Sequence, residues 1–526
     1  MTIKLHLPSP LWQNKLDGAI QQRGTCWQPL NSLLEAKTPE QVGQALQAQN
    51  GFYALVWQQQ NRTYAAVDHI RSIPLFYALK DQTFFLSDEA EWVREQVGNT
   101  KMDPLARDEF QLAGYVTGQD TLFPDVKQLQ AGELLLVDEK NGLPELATER
   151  YYRFLHTEPE SYNEADLYQQ LDKAALASID NLIRYANGRQ IVIPLSGGYD
   201  SRLIAVLLKE ANYDNILTFT YGAKGNKEAA YSKIVADNLG LEWRFVEYTE
   251  ALWQAAWQTD ERKRYQLEGS NWTSLAHLQD WLAVKIMKEQ GIVENNAVFA
   301  PGHSGDMVAG SHIPNFIHAD LSAEYTKDDL VEHLFNKHYC LTQHENAQSS
   351  VSMFKEKIEK SIVLQATYTA QQFANECEKH NWKNRQSKFI FNSARVYEFF
   401  DYDWWIPLWD KEFVRFFEDL PLSLRNHEWY TEYVQNKYLA YSKNIAEANV
   451  SNASDAGFAK RVSQLNIIKK LGIRPLLAKG YKLIVKPKSL LLLESAYNKK
   501  DVEELERKGY CSNGRVAYFF LKDFGS

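Results

Sequence analysis

Six residues, Ser196-Gly-Gly-Tyr-Asp-Ser201, join an apolar run, Ile191–Leu195, to a second run that opens Arg-Leu-Ile-Ala-Val-Leu-Leu. The first run reads as a buried strand. The second reads as a helix with Leu203/Ile204 and Leu207/Leu208 on one face. Ser196, Gly197, Gly198 and Ser201 suit an anion. Adjacent glycines let the backbone turn sharply and approach a ligand, the helix start offers free N–H groups, and the serines add hydroxyl donors. Asp200 is a carboxylate in a loop that otherwise favours anions, which makes sense if it holds a magnesium ion bridging phosphates. A tight strand-to-helix turn would explain the glycines alone. The complete strand, loop and helix unit points instead to a nucleotide site. It is not a Walker loop, because no Gly-Lys-Ser/Thr is present.

The elements that must position this loop change character along the chain. Residues 51–57, 63–67, 74–79 and 83–87 are short, aromatic or β-branched runs separated by turn residues, and read as antiparallel strands. Leu134–Val137 adds another, with helices expected near 40–49 and 88–97. From about residue 160 the order becomes helix (164–187), strand (191–195), helix (201–211), strand (216–221), helix (227–239), strand (243–247). That alternation predicts a doubly wound parallel sheet. Beyond about 320 the chain reads as mainly helical and rich in aromatics. The fold class expected is α/β and α+β. A β-rich unit over 1–155 precedes a parallel-sheet unit over 156–526, the polar stretch Tyr151–Asn163 marking the boundary.

The loop resembles the pyrophosphate loop of the N-type ATP pyrophosphatases, which split ATP between its α- and β-phosphates. Further segments resemble the asparagine synthetase-like family. Gly51–Val56, Asp68-His-Ile-Arg71…Pro74-Leu-Phe-Tyr77 and Ser87-Asp-Glu89 look like the later half of that family's glutaminase domain, of the Ntn-hydrolase type. Tyr115-Val-Thr-Gly118 to Gly132 resembles its domain junction. Gly302-His-Ser-Gly-Asp306 stands where the family has Gly-Glu-Gly-Ser-Asp-Glu, and Trp405-Ile-Pro407-Leu-Trp-Asp410 looks like its Arg-Val-Pro-Phe-Leu-Asp segment. The resemblance implies ATP and Mg²⁺, with Asp306 joining Asp200 as a metal ligand and Gly302 in the loop beside them. A bland alternative makes Asp306 the cap of the following helix. The resemblance also implies that Leu195, Thr220, Tyr221 and Gly222 line the adenine pocket, mostly through backbone groups.

Two departures matter. Glutamine-dependent members begin with a cysteine nucleophile whose own α-amine is the base. Here residue 2 is threonine, Cys26 is internal, and no Asn-Gly-Glu loop precedes Gly51. The first unit is therefore expected to be a degenerate glutaminase that does not hydrolyse glutamine. His303 stands where asparagine synthetases carry glutamate, and histidine can take a proton from an attacking amine. A structural hydrogen bond is its alternative reading. By the same resemblance Arg395 falls near the acceptor carboxylate and Lys437 near the pyrophosphate. Arg395 needs an alignment gap, and Lys437 lies in a segment that lacks the family's arginine (Ala440 follows Leu439).

A net charge of −9 argues against a general nucleic-acid binder. Cys26, Cys340, Cys377 and Cys511 have no metal or redox spacing, and a reduced, cytoplasmic protein is expected. Between Lys460 and Lys488 lie nine Lys or Arg and no acid. This suits a solvated helix face packed on the second unit, a polyanionic substrate or an anionic membrane surface. The expected activity is a carbon–nitrogen ligase that adenylates a carboxylate for attack by ammonia or an amine. The expected partners are a small-molecule or sugar-linked carboxylate, including a uronic acid of a surface polysaccharide, and a nitrogen donor. Peripheral membrane contact through 460–488 and a homodimer are further options, and a non-catalytic scaffold is the rival reading.

Overall fold

The computed structural model describes residues 2–59, 61–140, 143–343, 348–446 and 491–525. The basic stretch 460–488 lies outside the described residues.

Two mainly antiparallel sheets form the N-terminal unit. One has the order β1 (Thr2–His6), β7 (Thr83–Ser87), β6 (Phe76–Lys80), β8 (Lys127–Gln128). The other runs β10 (Leu143–Arg150), β9 (Glu133–Lys140), β5 (Arg62–Val67), β4 (Tyr53–Gln59), β3 (Ile20–Gly24), β2 (Gln13–Lys15). The strands expected over 51–87 all form. β4 and β5 are apolar on both faces, as suits strands covered on each side. β1, β2 and β3 were not anticipated. They are short and mostly polar, and their pairing is tertiary: β1 lies parallel to β7, Thr2 opposite Thr83.

No regular element occurs between Arg150 and the helix Glu164–Ala186, whose start is capped by the Asn163 side chain. A parallel sheet follows, ordered β13 (Glu242–Tyr248), β12 (Ile216–Ala223), β11 (Ile191–Pro194), β14 (Val298–Phe299), β17 (Asp403–Trp404). The chain moves outward from β11 through β12 to β13, then returns to the other side of β11 for β14. A crevice therefore opens between the carboxyl ends of β11 and β14, where the winding direction reverses. Mainly helical chain follows, with a two-stranded ribbon, β15 (Glu324–Thr326) and β16 (Thr367–Thr369).

The two units share one continuous apolar core. Phe52 of the first packs edge-on against Trp405 of the second, ring centroids 4.7 Å apart. The buried Lys388 amine donates to the carbonyls of Val116 (2.8 Å) and Gly118 (2.7 Å).

Candidate active site

The loop after β11 turns through Ser196–Gly198 into the helix Tyr199–Glu210, which starts two residues earlier than its pattern suggests. Asp200 is thereby in the first turn, where the helix dipole favours a carboxylate. The loop is braced internally. Ser196 N–H donates to Ser201 Oγ (3.2 Å), Gly198 N–H donates to Ser196 Oγ (3.1 Å), and the buried Arg202 guanidinium donates to the Gly197 carbonyl (2.8 Å).

The loop after β14 crosses directly over this helix start. A Cβ on Gly302 would sit 2.4 Å from Ser201 N, so the backbone passage requires glycine. Ser304 adopts φ +69° and its hydroxyl donates to Gln386 Oε1 (2.6 Å). Gln386 belongs to a π-helical segment, Trp382–Ile390, a geometry frequent at functional sites. The strained serine aims the next turn so that the Asp306 N–H donates to Asp200 Oδ2 (3.2 Å). The two carboxylates expected to hold magnesium thus line one cavity of about 380 Å³, with Ser196, Gly198, Ser201, Tyr221, Gly302 and His303.

Burial and the neighbouring charge of Asp306 push the Asp200 carboxyl up to about 8. Among the described residues no lysine or arginine is one of the main groups acting on it; the Tyr430 hydroxyl donates to its Oδ1 at 2.9 Å. Two carboxylates held together in one cavity fit a hard divalent ion, which takes one or two protein carboxylates and completes its shell with phosphate and water. Asp306 also accepts from Met307 N–H (2.8 Å) and Ser311 Oγ (3.1 Å), so it braces its own turn as well.

His303 lines the cavity, and burial drops its imidazole to about 4. It is neutral near pH 7, and among the described residues its Nε2 has no hydrogen-bond partner. Beside it stand His277, at a ring-centroid distance of 6.0 Å, and Asp280, whose Oδ2 accepts from the Tyr397 hydroxyl (3.0 Å). His277, Asp280, Tyr397 and Tyr430 were absent from the sequence reading. His277 and Asp280 lie three residues apart on the loop before the helix Trp281–Glu289, Tyr397 and Tyr430 come from two other helices, and the four share no contiguous motif.

Several expected positions fall elsewhere. Leu195 N–H donates to Phe219 O (2.8 Å) and its carbonyl accepts from Thr220 Oγ1 (2.6 Å). These groups knit β11 to β12 beneath the cavity, so Leu195, Thr220 and Gly222 lie outside its lining; of the expected adenine set, Tyr221 reaches it. Lys437 does not face the loop. Its amine is held by Asp172 (2.6 Å) and Glu210 (2.7 Å). Glu210 ends the helix that Asp200 begins, roughly 15 Å away at 1.5 Å per residue. Arg395 is likewise elsewhere. It pairs with Glu398 (2.7 Å), donates to Ser72 O (2.8 Å) and lines a separate cavity of about 590 Å³ where the two units meet.

Comparison with known proteins adds a decisive observation. The family model for asparagine synthase matches residues 183–441, and that for a glutamine amidotransferase domain matches 33–152. The chain belongs to the asparagine synthetase-like family. Both β11 and β14, with their loops, fall inside the synthase match. Among solved structures, an NH3-dependent NAD synthetase from Campylobacter jejuni subsp. jejuni NCTC 11168 is 15% identical with a TM-score of 0.22, over 38% of this chain and 99% of that one. A glutamine phosphoribosylpyrophosphate amidotransferase from B. subtilis is 12% identical with a TM-score of 0.17, over 57% of this chain and 60% of that one. These likenesses are weak, and the fold assignment rests on the sheets themselves. A search of curated proteins finds no match. Among the described residues no helix is long and apolar enough to cross a membrane.

Proposed function

We propose that this asparagine synthetase-like chain activates a carboxylate with ATP and passes the acyl group to ammonia or an amine. The observation that carries this reading is the meeting of Asp200 and Asp306 at the N-terminus of the helix Tyr199–Glu210. Ser196 and Ser201 bind the phosphates of substrate ATP through their hydroxyls, Gly198 leaves room for them to approach, and the helix start adds its dipole. Asp200 and Asp306 would hold Mg²⁺, which when bound offsets the phosphate charge. The acceptor carboxylate attacks the α-phosphorus, the bond to pyrophosphate breaks, and an acyl-adenylate results. Its carbonyl is then attacked by nitrogen as AMP leaves. His303, neutral by burial, takes a proton from that nitrogen. The protein contributes chiefly positioning and charge neutralisation.

No cysteine stands at the start of β1, and Thr2 there is exposed and paired with β7. This supports a nitrogen source other than the chain's own hydrolysis of glutamine.

Exchange of labelled pyrophosphate into ATP, with Mg²⁺ and a panel of carboxylic acids including aspartate and uronic-acid conjugates, tests the reading. Exchange that depends on one acid, and falls at least about 100-fold in Asp200→Ala, is expected. A chain that neither binds ATP nor exchanges pyrophosphate with any acid is a scaffold, and the proposal fails.

A further inference from the structure

We propose that Asp280 and His303 form a receptor for the nitrogen nucleophile in its protonated form, ammonium or a primary alkylammonium. This inference rests on the amide-forming reading above and names the nucleophile's subsite. Asp280 occupies the N-cap position of the helix Trp281–Glu289, yet its side chain caps nothing. An aspartate at that position normally accepts a backbone N–H of the first turn. Here Oδ2 is turned to the Tyr397 hydroxyl (3.0 Å), and Oδ1 is buried without a hydrogen bond from any described residue. His277 Nε2 lies 3.3 Å from Oδ1 without the alignment of a hydrogen bond.

A buried acceptor left unpaired costs stability, so such groups call for an occupant. His303 Nε2 is a second unpaired buried atom on the same cavity wall, and the tautomer protonated on Nδ1 makes it an acceptor. The wall opposite is the nucleotide loop with Asp200, Ser196 and Ser201. A donor-rich cation fits two unpaired acceptors lining one cavity.

The proton count matches the pair. A bound ammonium must lose one proton to expose its lone pair and a second as the amide forms. Asp280 takes the first. His303 takes the second as the C–N bond forms and the C–O bond to phosphate breaks, AMP leaving with that electron pair. Burial lifts Asp280 to about 6 and drops His303 to about 4, which orders the two acceptors in this sequence.

Ammonium chloride titrated into the full-length chain labelled at histidine Cε1 tests the subsite by NMR, with sodium chloride as the ionic-strength control. Spectra of His277→Gln and His303→Gln assign the two resonances. Saturable shifts of both are expected with ammonium and not with sodium. They are expected to vanish in Asp280→Asn while the other histidine resonances stay in place. If Asp280→Asn does not fold, His303→Gln is the second variant, expected to weaken the shift at His277 at least about fivefold. No saturable shift in the wild type, or an unchanged shift in whichever variant folds, overturns the proposal. Pyrophosphate exchange on the same samples separates the two readings. Loss of the ammonium shift in Asp280→Asn, with the other histidine resonances in place, supports the subsite whatever the wild type's exchange. Ammonium binding by a wild type that neither binds ATP nor exchanges pyrophosphate with any acid overturns adenylation and leaves the subsite standing.

Discussion

At the residue scale, partners decide roles. The Tyr430 hydroxyl donates to Asp200, a carboxylate pressed between protein and Asp306. Groups that orient a metal's ligands commonly alter affinity tenfold or more. Tyr430→Phe is therefore expected to raise the Mg²⁺ concentration giving half-maximal pyrophosphate exchange about tenfold, with little change in maximal rate. An unchanged Mg²⁺ requirement would count against Asp200 as a ligand. Lys437 has the opposite character. Its ion pairs with Asp172 and Glu210 tie the helix His427–Tyr441 to two others, and its amine is turned from the cavity. Lys437→Met is expected to leave exchange within about threefold of wild type and to cost about 1 kcal/mol of stability, read from denaturant unfolding. A 100-fold loss of exchange in a folded Lys437→Met chain would restore the catalytic role.

At the element scale, the site depends on two loops lying in contact. Gly302 passes so close to Ser201 N that any side chain must push the loops apart. Gly302→Ala is expected to destabilise the fold by about 3 kcal/mol, in line with overpacking of a tight contact. Exchange should fall at least about 100-fold, because the Asp200–Asp306 spacing widens. Thermal unfolding and exchange on one preparation check both, and a variant with wild-type values for both would show that the loops are not tightly coupled. Ser304 works at this scale too: its left-handed backbone is held by one bond to Gln386, from an element 82 residues further on.

At the scale of the whole molecule, buried histidines tie the N-terminal unit and the boundary segment to the later part of the second unit. His69 Nε2 lies 2.6 Å from Trp409 O, and His156 Nε2 lies 2.6 Å from Leu420 O; a neutral ring donates in each case. Burial lowers His69 to about 3 and His156 to about 4. The unfolded chain takes up these protons near 6.5, so between about 6.5 and these values it binds more protons than the native state. Stability is thus fully present above about 6.5 and is lost as pH falls through that window. Melting temperature is expected to drop from pH 7 to pH 5, with a shallower slope in His69→Gln by up to about one proton. A slope unaltered by His69→Gln would show that His69 is not buried neutral in the folded chain.

What the sequence alone determined is what local pattern encodes. The strand, the glycine turn and the amphipathic helix around Ser196–Ser201 are contiguous, so periodicity and turn chemistry disclosed them, and the core strands of the first unit followed from apolar runs. The helix start was misjudged by two residues because Tyr199 and Asp200 carry no strong helix signal. β1 to β3 stayed hidden because their partners, not their composition, make them strands. Tertiary structure decided the rest. It brought Asp306 to Asp200 through the reversal of winding between β11 and β14, gathered His277 and Asp280, Tyr397 and Tyr430 from three segments, and turned Lys437 and Arg395 toward ion pairs. Position along the chain names a residue; the direction of its side chain is set by what packs around it.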